Sequence, residues 1–368
     1  MRIALLHPTY WPEVRRGSER LVHDLGVTLV ERGHDVTLLT SHPARPRTDV
    51  EDGIRVVRSW RPPELRLQRK YEYFMGNVPA AFWQLRRGDF DLAHAFFQAD
   101  AWAAIKARGA GGPPVIFSCH GILVRPYLVE RRYRIELLKK VAAEADAVSV
   151  LSDAAADPFR RYLLTEPEVL PGGVIADAFA VEAPRADEPT IICAASIGAP
   201  HKRGELLVAA FEQLHARRPD VRLRVVRAPD PFMSRTVGEL PAGTEWVDAD
   251  DTQTLARAYA SAWVSVLPSV DEAFGLVLLE SLAAGTPVVA ARSGGPPEIV
   301  SSDAIGRLFE PDAADDLARA LDEALELSAG DAATAACRER ARDYDWSRVV
   351  ERYEEVYASV LDAAPVAA

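Results

Sequence analysis

The sequence predicts an α/β protein built of two parallel-sheet domains that face a central cleft. Three observations predict it. Short segments such as Ile3–His7, Trp263–Leu267 and Val288–Ala291 are apolar almost throughout, as strands covered on both faces are. These strands alternate with helical segments, the pattern of a parallel sheet sandwiched by helices. The alternation stops at a stretch rich in Pro, Ala and charge, residues 176–189, and then starts again. A chain of 368 residues is long for one core and suits two domains of ordinary size. Two such domains back to back leave a cleft, where ligands gather.

Composition excludes several classes. With 48% apolar and 26% charged residues the chain reads as a soluble globular enzyme. No run approaches the roughly 18 apolar residues of a membrane span, and the N-terminus is a core strand, too short for a signal peptide. Cys119, Cys193 and Cys337 lie far apart with no CxxC, so neither a zinc site nor a disulfide framework is expected, and the natural home is a reducing cytoplasm. Charge is unevenly shared. Residues 1–180 carry 25 Lys and Arg against 22 Asp and Glu, a net of +3; residues 181–368 carry 18 against 32, a net of −14. The acidic half argues against nucleic acid as a partner.

The first half opens with strand Ile3–His7, loop Trp11–Gly17, and helix Ser18–Arg32, whose Leu21, Val22, Leu25 and Leu29 share one face. Gly33 stops the helix, and Val36–Thr40 is the next strand. Gly17 thus sits at a loop-to-helix junction, a place suited to a diphosphate. Strand Ile54–Arg58 leads into a stretch dense in Arg and aromatics that includes Trp60, Tyr71, Tyr73, Phe74, Phe82 and Trp83. It reads either as surface loops with aromatic anchors or as part of a binding wall. Leu92–Ala95 and Val115–Cys119 are short buried strands. The second ends at His120, where ligands collect in α/β sheets, although a lone His is as a rule structural. Residues 125–140 hold six basic side chains and an apolar face of Leu128, Tyr133, Leu137 and Leu138. Such a helix is either a solvated face or a contact for an anionic membrane or an acidic acceptor. Strand Ala147–Leu151 is followed by Ser152 as a helix cap.

The second half runs strand Thr190–Ala195, helix Gly204–Ala216, strand Val221–Val226 and helix Thr252–Ala260. Strand Trp263–Leu267 follows. An acidic turn then leads into a helix from about Gly275 to Ala284, stopped by Gly285; Val288–Ala291 and helix Asp315–Leu327 complete the domain, and a closing helix covers Trp346–Leu361. The helix at 275–284 is apolar on nearly every side and therefore buried. Its start favours a phosphate: the first amides have no internal partner, the dipole is positive there, and Gly275 admits a close ligand. Phe274, Gly275 and Leu276 would offer the donors. Glu280 lies about 6 Å deeper along the helix and could accept from ribose hydroxyls, while Glu272, just before the helix, could accept from a hexose. The competing reading is an acidic cap plus a buried ion pair.

Glu272 and Glu280, set within PSxxExFGLxxxExxAxGTPVV and followed by Gly294-Gly295-Pro296-Pro297-Glu298, resemble the donor-site motif of family-4 retaining glycosyltransferases, which have the GT-B fold of two Rossmann-like domains. The resemblance extends over nearly the whole chain. Gly17-Ser18-Glu19-Arg20 is similar to the family's GGxER, with Arg16 in place of the first glycine. Glu31-Arg32-Gly33-His34-Asp35-Val36 matches ERGHxV, Ala147–Leu151 matches ADxVxxxS with Ser152 as its Ser, and Gly172 stands for Asn in a PNGV-like turn. Ala195–Gly204 resembles GRxxxxKG, whose Arg and Lys grip the diphosphate. Lys202 fits the Lys, with Arg203 one residue away, and Ser196 replaces the Arg. Val247-Asp248 resembles the base-binding turn, and the closing helix resembles one that crosses back to the first domain.

The resemblance implies domains at 1–175 (acceptor) and 190–343 (donor), a linker at 176–189 and a crossing helix at 344–368. It implies retaining transfer of a hexose from a nucleotide diphosphate, UDP before GDP, to an acceptor hydroxyl on a small molecule or lipid. His120, Lys202 and Glu272 would take part in catalysis. Gly17, Lys202, Arg203, Asp248, Glu272, Phe274, Gly275, Leu276 and Glu280 would bind the donor. No metal or other cofactor is implied. Peripheral membrane contact through residues 125–140 would fit a lipid acceptor. The alternatives are a GT-B nucleotide-sugar isomerase or phosphorylase, and a nucleotide-sugar-binding protein impaired in catalysis, for which the Ser196 replacement is the motive.

Overall fold

In a computed structural model, residues 1–14, 16–62, 73–125, 128, 132–195, 197–227, 240–249 and 251–363 are described. Ser196, Tyr71, the side chains of Tyr73 and Phe74, and part of the 125–140 stretch lie outside the described residues. The chain forms two compact units, Met1–Gly173 with Trp346–Ala368, and Val174–Asp345. Each is a sheet of mostly parallel strands with helices packed on it.

In the first unit the strands are β1 (Arg2–Leu6), β2 (Asp35–His42), β3 (Arg47–Glu51), β4 (Ile54–Trp60), β5 (Leu92–Ala95), β6 (Val115–Cys119), β7 (Ala147–Val150) and β8 (Glu168–Val169). Their order is β3-β4-β2-β1-β5-β6-β7-β8. All neighbours are parallel except β3 and β4, a hairpin closed by Asp52 and Gly53, both at positive φ. Strand β3 is polar and lies at the sheet edge, so it lacks the apolar run by which the other strands are recognised. Helix Gly17–Glu31 buries Leu21, Val22, Leu25 and Leu29, as its spacing predicts. Helix Gln98–Arg108 buries Ala99, Ala101, Ala103, Ala104, Ile105 and Ala107. Being alanine-rich and covered on most sides, it shows no amphipathic period.

The closing helix, Trp346–Ala363, packs against helix Gly17–Glu31. Its Tyr357 hydroxyl is 2.8 Å from His94 Nδ1 at the sheet centre, and its Tyr353 hydroxyl donates to the Leu170 and Pro171 carbonyls at 3.3 and 3.2 Å. A Cβ on Gly173 would meet the Trp346 ring at 2.5 Å, so only glycine lets the indole settle there.

In the second unit the strands are β9 (Thr190–Cys193), β10 (Arg222–Val226), β11 (Thr244–Val247), β12 (Val264–Leu267), β13 (Val288–Ala291) and β14 (Gly306–Phe309). All are parallel, in the order β11-β10-β9-β12-β13-β14. The chain steps outward from β9 to β10 and β11, then returns to place β12 on the other side. The loops leaving β9 and β12 therefore diverge at a topological switch point, where open α/β sheets bind ligands. Residues 176–189, expected as a linker, instead pack on this unit. Helix Ala176–Phe179 buries Phe179, whose ring lies 6.3 Å from that of Tyr259, and Trp263 Nε1 donates to the Ala186 carbonyl at 2.9 Å. Two aromatic anchors decide the matter, and composition alone does not register them.

Candidate functional site

The second unit gathers several of the expected donor residues at its switch point. After β9 the chain makes a short turn, Pro200–Lys202, and Arg203 takes φ 53 before helix Gly204–Arg217 begins. After β12 comes the acidic turn with Asp271 at φ 52, then Gly275 at φ 105, then helix Leu276–Ala284. The two loops are stitched by Val270 N donating to His201 O at 3.0 Å. Lys202 Nζ donates to Glu272 Oε2 at 2.6 Å. Among the described residues no side chain caps the helix at Gly275, and the amides of a first helical turn have no intrahelical acceptor. A cation, a carboxylate and a helix start thus share one place. Phe274 is buried, edge-on to Tyr344 with ring centres 5.8 Å apart.

Behind the turn lies a backbone clamp. Gly295 N donates to Glu272 O at 2.8 Å, and Asp271 N donates to Ser293 Oγ at 3.0 Å. A Cβ on Gly294 would collide with the Glu272 carbonyl, and one on Gly295 would meet the Ala273 carbonyl at 2.6 Å. The glycine doublet therefore sets where the Glu272 side chain departs from the chain.

Glu280 is 2% exposed and accepts from the Tyr259 hydroxyl at 3.1 Å. Arg203 is ion-paired with Asp312. Asp248, just past the carboxyl end of β11, pairs with Arg227 at 2.9 Å and is open to solvent. Among the described residues no group of three or more His, Cys, Asp or Glu is placed to hold a metal ion.

The first unit carries Gly17 and His120. Gly17 is the exposed first residue of its helix, and a Cβ there would have nothing within 4 Å among the described residues. His120 follows β6 and packs beside Phe96, ring centres 5.0 Å apart. Its Nδ1 is 2.9 Å from Ser18 Oγ, which is 3.0 Å from His7 Nε2; His7 Nδ1 is 2.6 Å from Thr9 O. Thr9 Oγ1 in turn donates to Glu19 Oε1 at 2.7 Å. Burial pushes the His120 imidazolium down to about 3, helped by His7, and burial likewise lowers His7.

Two family models match: the description Glycosyl transferases group 1 over residues 175–344, and Glycosyltransferase Family 4 over residues 15–178. The chain belongs to the family-4 glycosyltransferases of the GT-B fold. It is 29% identical to the phosphatidyl-myo-inositol mannosyltransferase of Mycolicibacterium smegmatis, over 99% of this chain and 95% of that protein. Among solved structures it is similar to the sucrose-phosphate synthase of Thermosynechococcus elongatus, with a TM-score of 0.84 at 24% identity, covering 99% of this chain and 100% of that one. It is also similar to Anabaena HepE in complex with UDP-glucose, with a TM-score of 0.74 at 18% identity, covering 98% of this chain and 100% of that one.

In this glycosyltransferase the structure adds residues that the motifs did not name. Tyr259 is the hydroxyl partner of Glu280, yet in sequence it is one more residue of a helix. His7 and Ser18 buttress His120; His7 was readable only as the end of a strand. Gly294 and Gly295 belonged to the motif, but their backbone contact with the Glu272 turn is a tertiary fact. The stretch at 125–140 is described in part: helix Arg132–Glu144 buries Leu138 and Val141 and exposes Lys139 and Lys140.

Proposed function

We propose that this enzyme transfers a hexose from a nucleotide diphosphate sugar to an acceptor hydroxyl with retention of anomeric configuration and without a metal. One observation carries the reading: the Lys202–Glu272 pair beside the uncapped helix start at Gly275, at the switch point of the second sheet. A diphosphate leaves readily only if its growing charge is stabilised. Lys202 supplies a mobile cation, and the amides at Phe274, Gly275 and Leu276 supply fixed donors. One such preorganised donor is worth roughly 3–4 kcal/mol of barrier. Arg203 adds charge if it trades Asp312 for phosphate. Once Lys202 turns to the diphosphate, Glu272 is released to accept from the sugar hydroxyls. Glu280, held by Tyr259, binds the ribose, and Asp248 reads the base.

Gly17 and His120 keep the roles that the family resemblance implies, the Gly17 amide towards the diphosphate and His120 towards a donor-sugar hydroxyl. With both acids committed to binding, a paired-carboxylate double displacement is disfavoured, and attack from the leaving-group face accounts for retention. We take UDP as the nucleotide before GDP, supported by the UDP-glucose complex of HepE. The acceptor is a small molecule or a lipid; the mannosyltransferase relative, whose name specifies phosphatidyl-myo-inositol, supports a lipid. Thermal-shift screening against UDP-, GDP- and dTDP-sugars tests the donor. A ligand at 100 times its dissociation constant adds about 2.7 kcal/mol to folded stability. Stabilisation by one nucleotide family, followed by sugar transfer with chelator present, is the expected result. No stabilisation by any of them would refute the reading. Epimerised donor without acceptor would point to an isomerase.

A further inference from the structure

The hydrogen bonds that join the loop after β1 to His120 have a direction, and it follows from which atoms can donate. The chain begins at the Thr9 carbonyl, which can only accept. His7 Nδ1 lies 2.6 Å from that oxygen. A bare nitrogen there would set two lone pairs against each other, so Nδ1 carries the proton. The Thr9 amide is also near Nδ1, at 3.3 Å, but that is the longer and weaker approach. Burial keeps the His7 ring neutral, so its Nε2 is a lone pair. Ser18 Oγ, 3.0 Å away, has one proton and must give it to Nε2. The serine oxygen then has only acceptor capacity left for His120 Nδ1, at 2.9 Å. His120 Nδ1 is therefore the protonated nitrogen of a neutral ring. Its Nε2 is left as a lone pair, buried and with no hydrogen-bond partner among the described residues.

We propose that His7 and Ser18 are positioning residues that fix the tautomer of His120, so that Nε2 is held as a hydrogen-bond acceptor for a hydroxyl of the bound sugar. The last step rests on the donor-site reading above; the tautomer does not. A buried acceptor without a partner costs about 1–3 kcal/mol, a cost that an incoming hydroxyl removes. The chemistry also limits the ligand. Nε2 in this state rewards a group that brings a proton, such as an alcohol, and repels a carbonyl or phosphate oxygen.

Two measurements on the full chain test this. Long-range nitrogen–proton correlation spectra of the ¹⁵N-labelled protein at pH 7, with His120 assigned by comparison with His120→Gln, are expected to show Nδ1 protonated and Nε2 bare. An Nε2-protonated ring overturns the proposal. In Ser18→Ala the relay is cut, and the His120 tautomer is expected to shift towards Nε2–H. The donor kcat/KM should fall roughly 10–100-fold, with the donor KM raised. Ser18→Thr, which restores the hydroxyl, should recover both the tautomer and most of kcat/KM. An unchanged spectrum and unchanged donor kcat/KM in Ser18→Ala would overturn the positioning role. The expected tautomer in a protein that transfers no sugar would retire the functional reading and leave the tautomer assignment standing.

Discussion

Lys202 Nζ stands 2.6 Å from Glu272 Oε2, so a charged hydrogen bond joins the loop after β9 to the loop after β12 across the switch point, beside the backbone bond from Val270 to His201. Both side chains are about one-fifth exposed, and pairs with access to water contribute about 1 kcal/mol or less to stability. The pair is thus poorly explained as a stabilising device. Under the proposed function it holds two opposite charges in place until a diphosphate and a sugar take them separately.

Lys202→Ala and Glu272→Ala should each lower kcat/KM for the nucleotide sugar by at least 100-fold while shifting the melting temperature by only a few degrees. Initial-rate assays and calorimetry on the same preparations check this. Full activity in either variant would remove that residue from the mechanism.

Gly17 and Gly294 should fail in opposite ways. A methyl group at Gly17 meets nothing, so Gly17→Ala should leave stability within about 0.5 kcal/mol of wild type, yet weaken donor binding several-fold if the diphosphate approaches that amide. At Gly294, φ is 70 and a methyl group would strike the Glu272 carbonyl. Gly294→Ala should cost roughly 1–3 kcal/mol and displace the turn that carries Glu272. Denaturant melts with isothermal titration of the donor separate the two.

Asp100 sits in helix Gln98–Arg108 with no solvent exposure; Asn77 Nδ2 donates to its Oδ1 at 3.0 Å, and its Oδ2 has no partner among the described residues. Burial pushes its carboxyl up to about 7. The folded chain then keeps a proton that the unfolded chain loses near pH 4. The stability this contributes is whole below about pH 4 and is lost as pH rises to about 7. Asp100→Asn should therefore stabilise the protein at pH 8 by on the order of 1–4 kcal/mol, and by far less at pH 4.5. Equal shifts at both pH values would contradict a protonated Asp100.

The histidines act with the other sign. Burial lowers His94, His7 and His120, the last to about 3. A ring depressed in the fold adds stability that is present above the unfolded value near 6.5 and drains away as pH falls towards the folded one. His120→Gln should accordingly flatten the loss of stability between pH 6.5 and pH 4 relative to wild type, as read from melts across that range. An unchanged slope would mean that His120 is charged in the fold.

Much of the architecture was legible because burial writes itself into sequence. Strands such as β1 and β13 are apolar runs because both faces are covered, and helix Gly17–Glu31 shows its buried stripe at the helical period. Where burial leaves no such trace, reading failed. The polar edge strand β3 and the alanine helix Gln98–Arg108 lack a period, and the Pro- and Ala-rich residues 176–189 look like a tether although Phe179 anchors them.

Sequence alone determined the chemistry available: two acids eight residues apart, a glycine before an apolar helix, a lysine after a strand, and a histidine at the end of another. Local rules place these, because a helix start and a strand end are defined by their neighbours. Only the tertiary structure decided which of them meet. The approach of Lys202 to Glu272, the clamp of Gly294 and Gly295 on the acidic turn, Tyr259 on Glu280, and the relay from Thr9 through His7 and Ser18 to His120 all join residues from separate elements. Such pairings depend on strand order, and strand order is set by how whole helices and sheets pack rather than by any stretch of chain.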